Sequence, residues 1–485
     1  MERDLLVRPV RAEEAWLRRL AYQDPQTFPV LLDSATRGPL AHYTILGAYP
    51  QGSLCLRAGG ELHATGAAGF LREARPGGFL AALQAAWLRE RRTAPGPIGA
   101  TGAAAPPAAE AGPFRGGWMV FLSYELAAEV EPQLSLPRSS ASDEPVALAL
   151  RIPAAVVLEH QSGRAWVVAE PAQARLLKQL EKRLAQAREG VGVLEAGHQA
   201  PLCWELDEEP AERYLWRVRR ALEYIAAGDI YQANLSRLWQ ARLTGETPST
   251  SGLTGALYER LRQANPAPFA ALCQHGGWQL LCSSPERLVR VRAGQVETRP
   301  IAGTRARSGQ RSEEAAEIAA LISHPKERAE HVMLVDLERN DLGRLCEAGS
   351  VRADPMLFVE SYAHVHHIVS SVSGRLRPEL TPVDVMRAVF PGGTITGCPK
   401  YRCMQIIAEL EGEARGAYTG ALGYINHDGS MDLNILIRTL TLQQGRLQLR
   451  AGAGIVADSD PQRELDETRA KARGLLRALQ SGAWA

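Results

Sequence analysis

Glu327 and Glu330 stand three residues apart in "SHPKERAEHVMLVDL", and Glu464 and Glu467 repeat that spacing in "DSDPQRELDETRAKARGLL". Each segment opens on a capping residue and a proline, Ser323 with Pro325 and Asp460 or Ser459 with Pro461, which predicts the first turn of a helix. Side chains at i and i+3 share a helix face, about 5–6 Å apart at Cβ. Four hard oxygen donors from two helices suit Mg²⁺, which takes one or two carboxylates and leaves positions for water and an anionic substrate. Taken singly, such glutamates near Lys or Arg are ordinarily a solvated face, so the metal reading depends on the rest of the chain.

Three further clusters could bind anions or metals. "FPGGTITGCPK" (390–400) is glycine-rich but fails the phosphate-loop pattern, because Cys398 and Pro399 separate Gly397 from Lys400. Its Thr394, Thr396 and backbone N–H groups remain candidates for holding a carboxylate. Arg438 in "LIRT" reads as a mid-strand charge, unwelcome unless paired, and so a candidate for two-pronged carboxylate recognition. Gly452 and Gly454 in "RAGAGIVA" allow close backbone approach, or are simply tight packing. "AHVHHIVSS" groups His364, His366 and His367, but no further Cys or His follows at zinc spacing, which leaves a substrate-contacting or structural role.

The elements that must position these groups point to a mixed α+β protein with large antiparallel sheets. Strand-like runs such as "LHATG" and "AAVVLEH" come early, and "GGWQLLCSSPERLVRVRAGQVETRPIAGT", "GALGYIN", "LNILIRTLTLQ" and "RLQLRAGAGIVA" come late, with turns at 293–294, "NHDGS" and "QQGR". "EEPAERYLWRVRRALEYIAAGD" has apolar residues at helical spacing and stops at Gly228. The loop 94–114, rich in Ala, Pro and Gly, interrupts an N-terminal region 1–205, and a second region, 206–485, carries the motifs above.

The 485 residues are 45% hydrophobic and 22% charged with a net charge of +1, which gives no electrostatic case for nucleic acid or an anionic membrane. No run approaches the roughly 18 uninterrupted apolar residues of a membrane span, and the charged start lacks a cleavage site. Seven scattered cysteines without a CxxC pair suit a reducing compartment, so a cytoplasmic protein is expected. No glycine-flanked cysteine elbow is present that would release ammonia from glutamine.

Together "GDIYQANLSR", "SSPERL", "RPIAGTR", "AEHVMLVDLERNDLGR", "HVHHIVS", "FPGGTITGCPK", "MDLNILIRT" and "GAGIVADSDPQRELDETRAKA" resemble, in order over about 225–475, the chorismate-binding enzymes. The resemblance implies an α+β fold with a large two-sheet antiparallel β-sandwich core and helices outside, as in anthranilate synthase component I. It also implies Mg²⁺ as cofactor and chorismate as substrate. By motif position, Glu330 and Glu467 resemble direct metal ligands, with Glu327 and Glu464 in support, and Glu286 resembles the acid that protonates the departing C4 hydroxyl. Gly452 matches the ring-carboxylate position, Tyr418, Arg438 and Lys471 the grip on the enolpyruvyl carboxylate, and His367 and Thr394 other pocket positions. "LLDSATRG" overlaps the family's regulatory tryptophan pocket, where Ser34 matches, although Asp33 replaces the family's glutamate.

Within the family, Gln232 and Ala302 bear on the reaction. Members that hydroxylate chorismate use a lysine base where Gln232 stands, and a neutral amide cannot take a proton from water at pH 7. Ammonia carries its own lone pair, so an amination is expected. Ala302 matches anthranilate synthases, while many aminodeoxychorismate synthases place there a lysine that attacks the ring. "NPAPFAALCQ", Asn234 and "FPGGTITG" match the latter group. The expected reaction is therefore amination of chorismate to 4-amino-4-deoxychorismate without a covalent lysine adduct, toward 4-aminobenzoate and folate. Formation of anthranilate and pyruvate is the alternative, and a silent chorismate-binding regulatory subunit is a third reading. The expected partners are a glutamine amidotransferase subunit that supplies ammonia and a downstream aminodeoxychorismate lyase.

Overall fold

In the strand Trp278–Ser284, Trp278, Leu280 and Cys282 enter one apolar cluster and Leu281 another, as the two-residue period of a strand requires. A strand buried on both faces belongs to a sheet covered on both sides. The computed structural model describes residues 5–36, 38, 40–71, 77–91, 112–189, 202–244, 249–306, 325–361 and 365–480, with single positions 316, 318, 319 and 323. Most of the loop 94–114, through residue 111, lies outside the described residues.

Two large antiparallel sheets stack face to face, as expected from the sequence. The first runs from Leu6–Val10 at one edge, through Val30–Asp33, Phe269–His275, Trp278–Ser284 and Thr439–Gln443, to the long strands β1 (Gln232–Thr244) and β2 (Arg446–Ile455). The second contains Gln295–Thr298, Arg287–Arg292, Met431–Ile435, Ala421–Asn426 and Gly117–Leu122 in neighbouring positions. One apolar cluster fills the space between the sheets, with Ile45, Phe121, Leu148, Leu280 and Leu422 fully or almost fully buried. Two larger clusters lie on the outer faces, where helices pack. Both sheets take strands from both sides of residue 205: Val30–Asp33 pairs with Phe269–His275, and Gly117–Leu122 with Ala421–Asn426.

Helices α1 (Pro325–Gly343) and α2 (Pro461–Leu479) carry the paired glutamates. The cap of α2 is the expected one: Asp460 accepts a hydrogen bond from the Arg463 N–H at 2.9 Å and Pro461 follows at N1. The helix Ala211–Ala226 stops as expected at Gly228, whose φ of 82° lets its N–H reach the Ile225 carbonyl.

One expected strand is not continuous. "LNILIRTLTLQ" breaks into Met431–Ile435 in the second sheet and Thr439–Gln443 in the first, so Arg438 is not mid-strand but in the crossover, with φ at 53°. The run is apolar on both sides of the break and contains no Gly or Pro, so its periodicity carries no trace of the change of sheet.

Candidate active site

A second crossover lies beside the first. Pro285 ends the strand Trp278–Ser284, and the next strand, Arg287–Arg292, belongs to the opposite sheet, so Glu286 also sits between sheets. The two crossovers are stitched together. The Ile435 N–H donates to the Glu286 carbonyl at 3.1 Å, the Ser283 N–H to the Arg438 carbonyl at 3.0 Å, and the Ser284 hydroxyl to the Ile435 carbonyl at 2.6 Å. Strands passing between sheets thus present an acid and a cation from two crossovers hydrogen-bonded to each other.

The Glu286 side chain is buried, and its Oε1 accepts a hydrogen bond from the Thr394 hydroxyl at 2.7 Å. Burial pushes its pKa up from 4.5 to about 7, because a carboxylate loses water there; the Thr394 hydroxyl and the Lys471 charge partly oppose the rise. Such a carboxyl group holds its proton near neutrality and can give it up, as a general acid must.

An acid of α1 reaches β2 at Gly454, and Lys471 of α2, paired with Glu467, reaches it at Gly452. A Cβ added to Gly454 would lie 2.5 Å from Gln232 Nε2 and 3.8 Å from Glu330 Oε1, and Gln232 Nε2 donates to Glu330 Oε1 at 2.9 Å. Two residues earlier on that face, a Cβ on Gly452 would meet the Tyr418 hydroxyl at 2.5 Å, the Leu235 carbonyl at 2.6 Å and Asn234 Oδ1 at 2.8 Å. The Gly452 carbonyl accepts from Lys471 Nζ at 3.1 Å, and the same ammonium pairs with Glu467 at 2.6 Å. Glu464, Tyr418 and Glu467 all act on the buried Tyr214 hydroxyl, whose pKa is raised first by burial and then by those three. Among the described residues, no three His, Cys, Asp or Glu side chains already form a cluster that would hold an ion. At Gly454 the space a methyl would need is already taken by the Gln232 amide, which holds Glu330; the carboxylates of Glu330 and, beside Lys471, of Glu467 are the hard oxygen donors of the region. They fit a small divalent cation that keeps water or substrate among its ligands.

Tyr418 and Arg438 close the other end. The Tyr418 hydroxyl donates to Asn234 Oδ1 at 3.3 Å, and burial raises its pKa to about 12, so it stays a neutral donor. Arg415, almost fully buried, lies 5.6 Å from the Tyr418 ring and donates to the Asn234 carbonyl at 2.6 Å while paired with Glu411 at 2.7 Å. Arg438 donates to the Lys471 carbonyl, and no carboxylate pairs with it among the described residues. Burial pulls its guanidinium below the usual range, with Tyr418 and Glu467 opposing. A half-buried arginine without a carboxylate partner suits an incoming one.

The structure thus brings Gln232, Glu286, Glu330, Thr394, Tyr418, Arg438, Gly452, Glu467 and Lys471 to one region, with Glu464 beside Tyr214. Ala302 and His367 lie on adjacent paired strands, Ile301–Ala306 and Val365–Val369, and Glu327 lies in α1, but the side chains of these three, and all of His364, are outside the described residues. Thr396 is turned inward, donating to the Gly392 carbonyl at 2.9 Å, and does not face a ligand. Lys400 is tied to Asp341 at 2.5 Å and to the Val389 carbonyl, a structural anchor. Ser34 is elsewhere: it lines an intersheet cavity of about 410 Å³ with Tyr43, Phe269 and Tyr424, and its hydroxyl faces the Tyr43 and Pro268 carbonyls, each at 3.0 Å. Asp33, in the same lining, is held in an ion pair with Arg262 at 2.7 Å. Asn234 and Arg415 also belong to the site; a polar amide at strand spacing from Gln232 is the sequence signal for the first, and none exists for the second.

Known proteins resemble this chain in sequence and in fold. Residues 66–477 match the family model described as chorismate binding enzyme. Over 373 residues the chain is 42% identical to an anthranilate synthase component I-like protein of Synechocystis sp., covering 76% of this chain and 73% of that protein. It is 39% identical over 381 residues to aminodeoxychorismate synthase component 1 of Bacillus subtilis, covering 76% and 77%. The crystal structure of anthranilate synthase component I from Streptococcus pneumoniae superposes with a TM-score of 0.70 at 31% identity, covering 90% of this chain and 92% of that one. With residues 66–477 matched, the chain belongs to the chorismate-binding enzyme family.

Proposed function

We propose that this chain aminates chorismate to 4-amino-4-deoxychorismate, using Mg²⁺ and ammonia from a separate glutamine amidotransferase subunit. The observation that carries the proposal is Glu286: a buried carboxyl group that keeps its proton near pH 7 on a rigid crossover. Hydroxide is a poor leaving group. With the Glu286 proton, the electron pair of the breaking C–O bond ends on water instead. The nitrogen lone pair forms the new C–N bond, so no base is required of Gln232, whose amide instead holds Glu330. Arg438 and Tyr418 are assigned to the enolpyruvyl carboxylate and the Gly452 region to the ring carboxylate. Glu330 and Glu467 would hold the cation, with Glu327 and Glu464 in support; when bound, it supplies positive charge opposite the ring carboxylate. The product would pass to a pyridoxal-phosphate lyase that expels pyruvate.

A second reading, anthranilate formation, is favoured by Ala302, and relatives of both names resemble the chain at similar identity. The deciding experiment incubates the chain with chorismate, Mg²⁺ and ammonium and separates the products. Aminodeoxychorismate, converted to 4-aminobenzoate only after the lyase is added, supports the proposal; anthranilate with direct pyruvate release replaces it by the second reading. Consumption of chorismate in neither form, or none at all, overturns both. Intact-mass analysis during turnover is expected to show no covalent adduct.

A further inference from the structure

Two arginines stand at the carboxylate end of the site, and their donors are used differently. Arg438 has no carboxylate partner among the described residues. Arg415 engages all five of its guanidinium N–H groups inside the protein. Its Nε and Nη2 donate to Glu411 at 2.9 and 2.7 Å, and Nη2 also donates to the Asn234 carbonyl at 2.6 Å. Its Nη1 donates to the Thr419 hydroxyl at 3.3 Å and to the Ile395 carbonyl at 3.4 Å. A guanidinium bonded in this way has no donor left for a substrate; it holds other groups in place.

The groups it holds belong to the carboxylate grip. Asn234 Oδ1 receives the Tyr418 hydroxyl, and Arg415 fixes the Asn234 carbonyl while lying 5.6 Å from the Tyr418 ring. Thr419, next in the chain, has a φ of 64°, a conformation that a β-branched residue avoids unless its surroundings impose it. Its hydroxyl accepts from Arg415 and donates to the Tyr418 carbonyl at 2.6 Å. The Arg415 backbone is held as well, its N–H donating to Glu125 at 2.7 Å. Glu411 in turn accepts from the Ser236 N–H at 2.8 Å, which seats the ion pair on β1. Buried ion pairs add little net stability over apolar residues of similar volume, and their best-attested use is to impose one arrangement.

Resting on the assignment of Tyr418 to the enolpyruvyl carboxylate, we infer that Arg415 is a positioning residue. Its guanidinium locks the Tyr418–Asn234 pair and the strained Thr419 in one arrangement, so the carboxylate grip is formed before substrate arrives. Lysine is no substitute. An ammonium gathers its donors at one point, whereas the five N–H groups of Arg415 lead to four different residues. In Arg415→Lys the charge beside Glu411 is kept, but the setting of Tyr418 is lost.

The test measures KM and kcat for chorismate, on the full chain at saturating Mg²⁺ and ammonium, in the wild type, Arg415→Lys, Tyr418→Phe and the double variant. Each single change is expected to raise KM about tenfold with kcat little altered, as when binding rather than chemistry is lost. Because Arg415 acts through Tyr418, the double variant should stay at about tenfold instead of reaching about a hundredfold. A role confined to stability would lower the melting temperature of Arg415→Lys without this coupling. Effects that multiply, or an unchanged KM in Arg415→Lys, overturn the inference. Should Arg415→Lys fail to fold, Glu411→Gln, which keeps the shape of the acid but weakens its hold on Arg415, takes its place in the same comparison with the same outcomes. If Tyr418→Phe leaves KM unchanged, the assignment of Tyr418 falls and the inference with it. If Tyr418→Phe raises KM while the effects multiply, only the role of Arg415 falls.

Discussion

Gln232 Nε2 donates to Glu330 Oε1 at 2.9 Å, so a neutral amide from the first sheet orients an acid from α1. Supporting hydrogen bonds of this kind typically change metal affinity 10–100-fold when removed. Gln232→Ala is therefore expected to raise the Mg²⁺ concentration for half-maximal activity by roughly that factor. Gln232→Glu, which sets a like charge against Glu330, is expected to impair activity more. A Mg²⁺ titration of initial rates checks both.

Thr394 donates its hydroxyl to Glu286 and thereby favours the charged form. In Thr394→Val that stabilisation is lost and the Glu286 pKa rises further. The alkaline limb of kcat/KM is expected to move up by about one pH unit. A pH–rate profile at fixed free ammonia measures it.

Glu286 also links pH to stability. Its folded pKa, about 7, lies above the unfolded value of 4.5, so between these the folded state binds more protons and stability falls as pH rises. The full interval is worth about 3 kcal/mol at most. Glu286→Gln removes this term, so its melting temperature should exceed that of the wild type at pH 8 and lose that advantage at pH 4.5. Turnover should be lost at both. Calorimetry at the two pH values, with assays alongside, tests the sign.

Gly452 and Gly454 predict different failures. An alanine methyl at Gly452 would strike the Leu235 carbonyl, which is backbone and cannot step aside, as well as Tyr418 and Asn234. Gly452→Ala should cost about 1–3 kcal/mol of stability and most of the activity. At Gly454 the nearest atom is the end of the Gln232 side chain, which can swing away. Gly454→Ala should fold nearly normally yet show the raised Mg²⁺ requirement of Gln232→Ala. Thermal melts and Mg²⁺ titrations distinguish them.

Much of the site was legible because its motifs are local. The glutamates at i and i+3 announce a helix face, and Asp460-Pro461 announces where that helix begins. Alternation and turn residues gave the hairpins at 293–294 and 444–445, where φ is positive at both turn positions. The crossovers are not legible, since a strand buried on both faces reads alike in either sheet, and the pattern around Arg438 therefore reads as one strand where the chain changes sheet. Arg415 is invisible for another reason: its role comes from its three-dimensional neighbour Asn234, and no spacing in the sequence encodes that.

The interleaving of early and late strands has a consequence for synthesis. When residues 30–33 and 117–122 leave the ribosome, their partners at 269–275 and 421–426 do not yet exist. Each nascent sheet therefore carries an unpaired edge, the kind of surface that invites pairing with other chains. High contact order of this sort makes folding slow. A chain truncated before residue 421 would keep an open edge at Gly117–Leu122, so aggregation, rather than a stable half-protein, is its expected fate.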